Sequence, residues 1–435
     1  NRFSVRSGSE SGYVRKSNMK DIVPAEIIVR DVCRVKKGER VLIVANPETN
    51  MIAQDLFEAV KKAGGVPVLM FQTVKNSFDN ASPEVLASIA TNPDLCFSVS
   101  SSKLGKDPGA AAHPYVDAKG TKFMHIFDFL LNGKKSMRAV WMPGITQEMY
   151  ERAVQIDYKE LASRCAVLKK AYEKAVSVHV TSPGGTDVVV PVAGRKAFED
   201  DGDFSKPGSG GNIPAGEVFI SPVVGTGNVQ DEGNLIDKIK QKISAQSDAE
   251  DADGVQGSAE GAGAQGDGRR AEEKNAPGAS GTNGKIVFDG SMTFGDGDAL
   301  LETPIVVQVS DGFVTDIEGG EEAARLKKTI ADAEAKSLAM EKEGKLPEGE
   351  GSVYRRNARN IGELGIGLNP AAVITGNMLE DEKAFRTCHF AIGENYDSDA
   401  PALIHLDGVV REPTIEITYE DGSVRTVLRN GDLML

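Results

Sequence analysis

Residues 38–73 read GERVLIVANPETNMIAQDLFEAVKKAGGVPVLMFQT, and this stretch decides the first half of the fold. Arg40 to Ala45 is a short apolar, β-branched run, the composition of a strand buried on both faces. A turn follows at Asn46–Pro47. Ile52, Leu56 and Val60 then recur every four residues, which lays one apolar stripe along a helix over 49–64. Thr49 or Asn50 caps that helix, and Gly64–Gly65 stops it. VPVLMFQT is a second strand. A strand, a helix and a strand at this spacing form a βαβ unit, which implies a parallel sheet with right-handed crossovers.

The same grammar continues outward. Helical spacing runs over 22–36, with Ile27, Ile28, Val32 and Val35 apolar. Downstream come a helix from Pro83 to Thr91, strands at Leu95–Val99 and Arg138–Trp141, a Pro-Gly turn, and a helix over Gln147–Val154. Residues 19–165 therefore read as a doubly wound α/β domain. Its first strand ends in ANPETN, without G-x-G-x-x-G or a GKS/GKT ending, so neither the dinucleotide nor the P-loop anion cradle is present. Residues 1–18 are Ser- and Arg-rich and read as a flexible tail, either an expression remnant or the end of a transit peptide.

After a further helix over 158–176 the pattern turns to strands and tight turns. VSVHVTSPGGTDVVVPVAGR is a hairpin around Pro-Gly-Gly. Strands follow at Lys285–Phe288 and Thr303–Val309, then a helix from Glu321 to Met340 with Ala324, Leu326 and Ile330 on one side, and a last hairpin around Asp421–Gly422. Residues 166–435 thus read as a mixed, β-rich second domain. It is interrupted at about 244–284 by a low-complexity stretch of Ala, Gly, Asp, Glu, Gln and Ser, which lacks the apolar surface to offset its ordering entropy and is expected to be a disordered insertion.

Composition narrows the function. A formal net charge of −14 over 435 residues argues against nonspecific nucleic-acid and anionic-membrane binding. The four cysteines (Cys33, Cys96, Cys165, Cys388) are widely spaced and lack a CxxC pair, which fits a reduced, cytoplasmic enzyme. No apolar run approaches the ~18–20 residues of a membrane span.

The chemistry concentrates in Glu363 to Asp407. Two of the five histidines, His389 and His405, interrupt alternating apolar strands there. On a strand His405 and Asp407 share a face. Glu217 follows a Pro-Ala-Gly turn and opens another strand. Glu217, Glu363, Glu382, His389, His405 and Asp407 together offer four carboxylates and two imidazoles, a mixed O/N set that suits Zn, Co or Mn, and a carboxylate-rich one that suits two ions. Two metals about 3.5–4 Å apart activate a water for amide hydrolysis. Tyr396 is placed to donate to a developing oxyanion, and a glutamate not fully engaged as a ligand can serve as base. In the charged run LEDEK, Glu380 or Asp381 can stand in for Glu382. His113 and Lys106 sit in a polar loop after a strand. His125 and His179 lie among apolar residues and are expected in the core.

NIPAGEVFISP, GELGIG, LEDEKAFRTCHFAIG, the tyrosine beyond it and IHLDG resemble the thermophilic-type metallo-aminopeptidases, the aminopeptidase T, aminopeptidase S and aminopeptidase II family. The resemblance runs from about Met19 onward, the insertion excepted. It implies an N-terminal α/β domain, a C-terminal catalytic domain with two divalent ions, removal of N-terminal residues from peptides, and a homodimer. Motif by motif it assigns Glu217, Glu363, Glu382, His389, His405 and Asp407 to the metals, and Glu363 and Tyr396 to catalysis. The ring-opening 2,5-dihydroxypyridine 5,6-dioxygenases look distantly related in this region. His389, His405 and Asp407 would give such an enzyme its mononuclear Fe(II) triad, but it needs neither Glu217 nor Glu363 as a ligand.

Overall fold

Arg40–Ala45 lies inside a five-stranded parallel sheet, between Val66–Phe71 and Leu95–Val99, with Arg138–Trp141 and Gly210–Asn212 extending it. The computed structural model describes residues 23–76, 79–226 and 281–435. The tail expected over 1–18 and nearly all of the insertion expected over 244–284 lie outside these residues. The helix after the first strand, Asn50–Lys62, buries Ile52, Leu56 and Val60 as its spacing requires. The helical reading over 22–36 shortens to Pro24–Ile27 and a single π-turn, Ile28–Val32, and the chain leaves it through Arg34 at φ 48°.

The edge strand Gly210–Asn212 arises from a stretch that reads as loop, because three small residues carry no alternation. A Cβ on Gly210 would sit 2.5 Å from the Ala139 carbonyl oxygen, so this strand approaches its neighbour only as glycine.

Among the described residues, two antiparallel sheets make up the β-rich C-terminal region. One has eight strands and contains the hairpin of Ala175–Thr181 and Asp187–Pro191 together with the final hairpin, Thr414–Tyr419 and Val424–Arg429. The other has seven, ordered Gly297–Leu300, Ser291–Phe294, His405–Arg411, Thr387–Gly393, Ile361–Gly367, Glu217–Ile220, Phe198–Asp200. The chain is thus a mixed α/β protein with a parallel sheet followed by a β-rich region.

The seven-stranded sheet is two-faced. Val218, Ile220, Leu364, Ile366, Cys388, Phe390, Ile392, Leu406 and Val410 point one way and join a continuous core with Val180, Ile286, Ile415 and Ile417 of the other sheet. The register then puts Glu217, Glu363, His389, His405 and Asp407 together on the opposite face.

Three expectations are corrected. The strand expected from Lys285 begins at Asn283. The long helix Glu321–Lys342 buries Ala323, Leu326, Ile330, Ala333 and Ser337, and Ala324 is turned to solvent, since 323, not 324, keeps the spacing of three and four. His179 is not a core residue: its ring is on the outer side of the hairpin, 2.8 Å from Asp187, with 42% of the side chain exposed. His125 is buried as expected, bonding Gly105 O and accepting from the Phe127 amide. His113 and Lys106 are exposed. The four cysteines are buried and unpaired, and burial pushes the Cys33 and Cys96 thiols up to about 12, which makes them inert. Among the described residues no helix is long and apolar enough to cross a membrane.

Candidate metal centre

Small residues make room for the polar cluster. Gly365 lies directly across from His389, and Ala391 lies between Glu363 and Asp407. A Cβ on Gly365 would fall 2.0 Å from His389 Nε2 and 2.2 Å from its Cε1, so the imidazole occupies the space a side chain would fill. Glu217 is aimed by the turn before it. Gly216 has φ +131°, and a Cβ there would lie 3.0 Å from the Asn369 amide nitrogen. The Asn369 side chain in turn donates to the carbonyls of Ala153 and Ala215, at 3.0 and 2.9 Å, tying the Glu217 loop to a helix of the first sheet.

Glu363 is the hub. Its Oε1 is 3.2 Å from His389 Nε2, and its Oε2 is 3.2 Å from His405 Nε2. The two imidazoles thus approach opposite oxygens of one carboxylate. His405 Nε2 is also 3.4 Å from Asp407 Oδ1, and His389 Nε2 is 3.4 Å from Glu217 Oε2. Three groups of potential ligand atoms each lie within 4.8 Å of one another: Glu217, Glu363 and His389; Glu363, His405 and Asp407; Glu382, His389 and Asp407. All six residues singled out as metal ligands therefore meet on one face.

The electrostatics follow from this packing. Burial works against the charge on Glu363, but the hydrogen bonds from His389 and His405 outweigh it and hold the carboxyl down at about 2. Burial works to lower both imidazoles, but the Glu363 contact brings His389 up to about 9, and Asp407 first, then Glu363, bring His405 well above its ordinary range. His405 bonds the Glu394 carbonyl through Nδ1 at 2.9 Å, leaving Nε2 for the cluster, the way a metal-ligating histidine is oriented. Tyr396 packs its ring against His405 and Phe219, with centroids at 5.3 and 4.8 Å. Burial and then the nearby carboxylates push its phenol well up, so it stays a proton donor.

The LEDEK run resolves into three roles. Glu380 accepts two bonds of 2.8 Å from Arg152 and one of 2.9 Å from the Val373 amide. Asp381 accepts from the Thr375 and Gly376 amides at 2.7 and 2.8 Å. Both are committed to holding the loop, and of the three acids Glu382 faces the cluster. Lys383 is the residue the sequence reading missed. It is fully buried, and its Nζ lies 2.6 Å from Glu217 Oε1 and in contact with Glu382 Oε1. A lysine in a charged run reads as a solvated face, and only its burial separates it from that pattern. Asp200 beside it is likewise buried, and burial pushes its carboxyl well up.

The donors fit divalent ions. Glu217 Oε2 and Asp407 Oδ1 are buried acceptors without a hydrogen-bond partner among the described residues. Each lies 3.4 Å from an imidazole Nε2; buried polar atoms are rarely left so weakly engaged, and a cation beside each would complete it. The four carboxylates and two imidazoles suit Zn, Co or Mn.

Comparison with known proteins places the fold. No family model and no curated protein sequence matches the chain. Among solved structures, 2,5-dihydroxypyridine dioxygenase from Pseudomonas putida KT2440 superposes with a TM-score of 0.58 at 16% identity, over 94% of this chain and 96% of that one. Wild-type AmpT from Thermus thermophilus superposes with a TM-score of 0.56, also at 16% identity, over 95% of this chain and 98% of that one. The chain shares its fold with both along nearly the whole length of each.

Proposed function

We propose that this protein is a metal-dependent aminopeptidase, a hydrolase that removes the N-terminal residue of peptides. One observation carries the reading: His389 and His405 address opposite oxygens of Glu363. A carboxylate so placed is suited to bridge two ions, one with Glu217 and His389 and the other with His405 and Asp407. A mononuclear triad of His389, His405 and Asp407 would instead need both imidazoles on one ion, and these three do not form one of the mutually close groups. The shared fold with AmpT supports the same reading.

Two divalent ions held there would supply Lewis-acid activation of a water and of the scissile carbonyl. With both its oxygens facing imidazoles, Glu363 would be occupied in holding the ions rather than in moving a proton. Glu382 is the carboxylate better placed to take the proton. Burial, and then the charges of Glu217 and Asp407, push it up to about 8 in spite of Lys383, near the range a general base needs. Tyr396, whose ring packs on that of His405, would donate its hydroxyl to the oxyanion. Substrates are peptides with a free amino end, and a cytoplasmic homodimer is the form the family resemblance suggests.

A second reading has its own support. Lys383 already holds Glu217 and Glu382, which favours a single ion, and the dioxygenase shares the fold equally well. Parallel assays separate the two: leucyl-p-nitroanilide with Zn, Co or Mn, and 2,5-dihydroxypyridine with Fe(II) and oxygen. Turnover of the first alone is expected. Turnover of the second alone would replace the hydrolase with an oxygenase.

A further inference from the structure

Lys383 is a fixed charge inside the centre to which neither reading gives a role in the reaction. Its side chain has no exposed surface, and it pairs with Glu217 and Glu382, two of the six candidate ligands. Burying an ammonium is costly unless partners surround it, so its position is set by those two carboxylates. The pairing is one-sided. It engages Glu217 and Glu382, of which Glu382 also lies within 4.8 Å of His389 and Asp407, and not the pair of oxygens, Glu363 Oε2 and Asp407 Oδ1, that converge on His405 Nε2. Glu217 itself is divided, with Oε1 on the ammonium and Oε2 buried, without a hydrogen bond among the described residues, 3.4 Å from His389 Nε2. One oxygen is already neutralised by the ammonium, and the other faces the His389 imidazole.

We infer that the Lys383 ammonium is a built-in counter-ion for one half of the centre, so that the centre takes its two divalent ions unequally. The first binds at Glu363, His405 and Asp407, where no fixed positive charge opposes it. The second binds at the Glu217–His389 half against the ammonium, which repels the incoming ion and competes for Glu217 and Glu382. Lys383 is on this account a positioning residue, acting through the carboxylates it holds. The inference rests on the two-ion reading of the centre and deepens it.

The test is a calorimetric titration of the metal-free full chain with Zn²⁺, with bound metal counted after equilibrium dialysis. The wild type is expected to bind one equivalent per chain tightly and a second at least about tenfold more weakly, on the order of 1.4 kcal/mol. Lys383→Met keeps an unbranched side chain and removes the charge, and should bring the second affinity to within about threefold of the first. Lys383→Gln serves the same purpose where Lys383→Met does not fold. Two equally tight sites in the wild type would overturn the inference without any variant, as would an unchanged second affinity in a folded Lys383 variant. A wild type that binds no metal would instead overturn the metal-centre reading, and this inference with it.

Discussion

Gly365→Ala is the sharpest single perturbation of the centre. The added Cβ would lie 2.0 Å from His389 Nε2, whereas ordinary contacts begin at 3.4 Å, so the ring must retreat by 3.4 − 2.0 = 1.4 Å or the strands must part. His389 is 1% exposed and packed against Glu363 and Glu217, so it has no free direction to take. Forcing a methyl into such a site costs about 1–3 kcal/mol. Metal–nitrogen bonds tolerate about 0.2 Å, so the displaced ring leaves coordination, and metal affinity should fall at least about 10- to 100-fold, the size seen when ligand orientation is lost. Urea unfolding of the metal-free protein reads the first effect, and zinc titration reads the second. A variant with wild-type metal affinity would refute the placement of His389 in the centre. One with wild-type stability as well would refute the packing itself.

Three further outcomes follow. Tyr396→Phe should lower kcat by about 10²-fold with metal content and KM nearly unchanged; a fall in KM-type binding alone would remove the oxyanion role. Arg152→Ala leaves the Glu380 carboxylate, 1% exposed, without its cation. Because Arg152 itself is partly exposed, the loss should be about 2 kcal/mol, measured as a drop in thermal midpoint, with metal affinity affected less than in Glu382→Gln. The pH dependence has a definite sign. His389 is raised from 6.5 to about 9, so in the metal-free protein its contribution is full below pH 6.5 and is lost as pH rises through 9; Glu363 is lowered from 4.5 to about 2, so its contribution is present above 4.5 and is lost as pH falls toward 2. Urea melts of the metal-free protein should show maximal stability between about pH 4.5 and 6.5, falling on the order of 1–3 kcal/mol by pH 9. Stability that rises over that alkaline range would contradict the imidazolium pairing.

The parallel sheet was legible because its signals are local: an apolar run, a capped amphipathic helix and a second run within residues 38–73. The candidate site was legible for a related reason. Polar residues that break a strand's alternation mark one face, and Glu363, His389, His405 and Asp407 each do so. That Glu217 joins them from about 150 residues upstream rested on the motif resemblance, and the strand register brings it there. What escaped the reading depends on tertiary context. Gly210–Asn212 has no periodicity, yet it completes a sheet. Ala323 and Ala324 differ by one position, and only packing chooses between them. His179 is flanked by valines, but a hairpin strand has two faces and this one turns it outward. Lys383 sits in a run of charges that looks solvated, and nothing short of its burial distinguishes it from Lys342 or Lys345.

The central claim, a metal centre that removes single residues from free amino ends, is tested most directly by mass spectrometry of peptide products. The metal-free full chain is reloaded in turn with Zn, Co and Mn, then given a leucyl tripeptide and its N-acetylated counterpart. Release of one residue from the free peptide only, abolished by a chelator and by Glu363→Gln, is the expected result. An intact free peptide with all three metals would contradict the account, as would cleavage of the acetylated one.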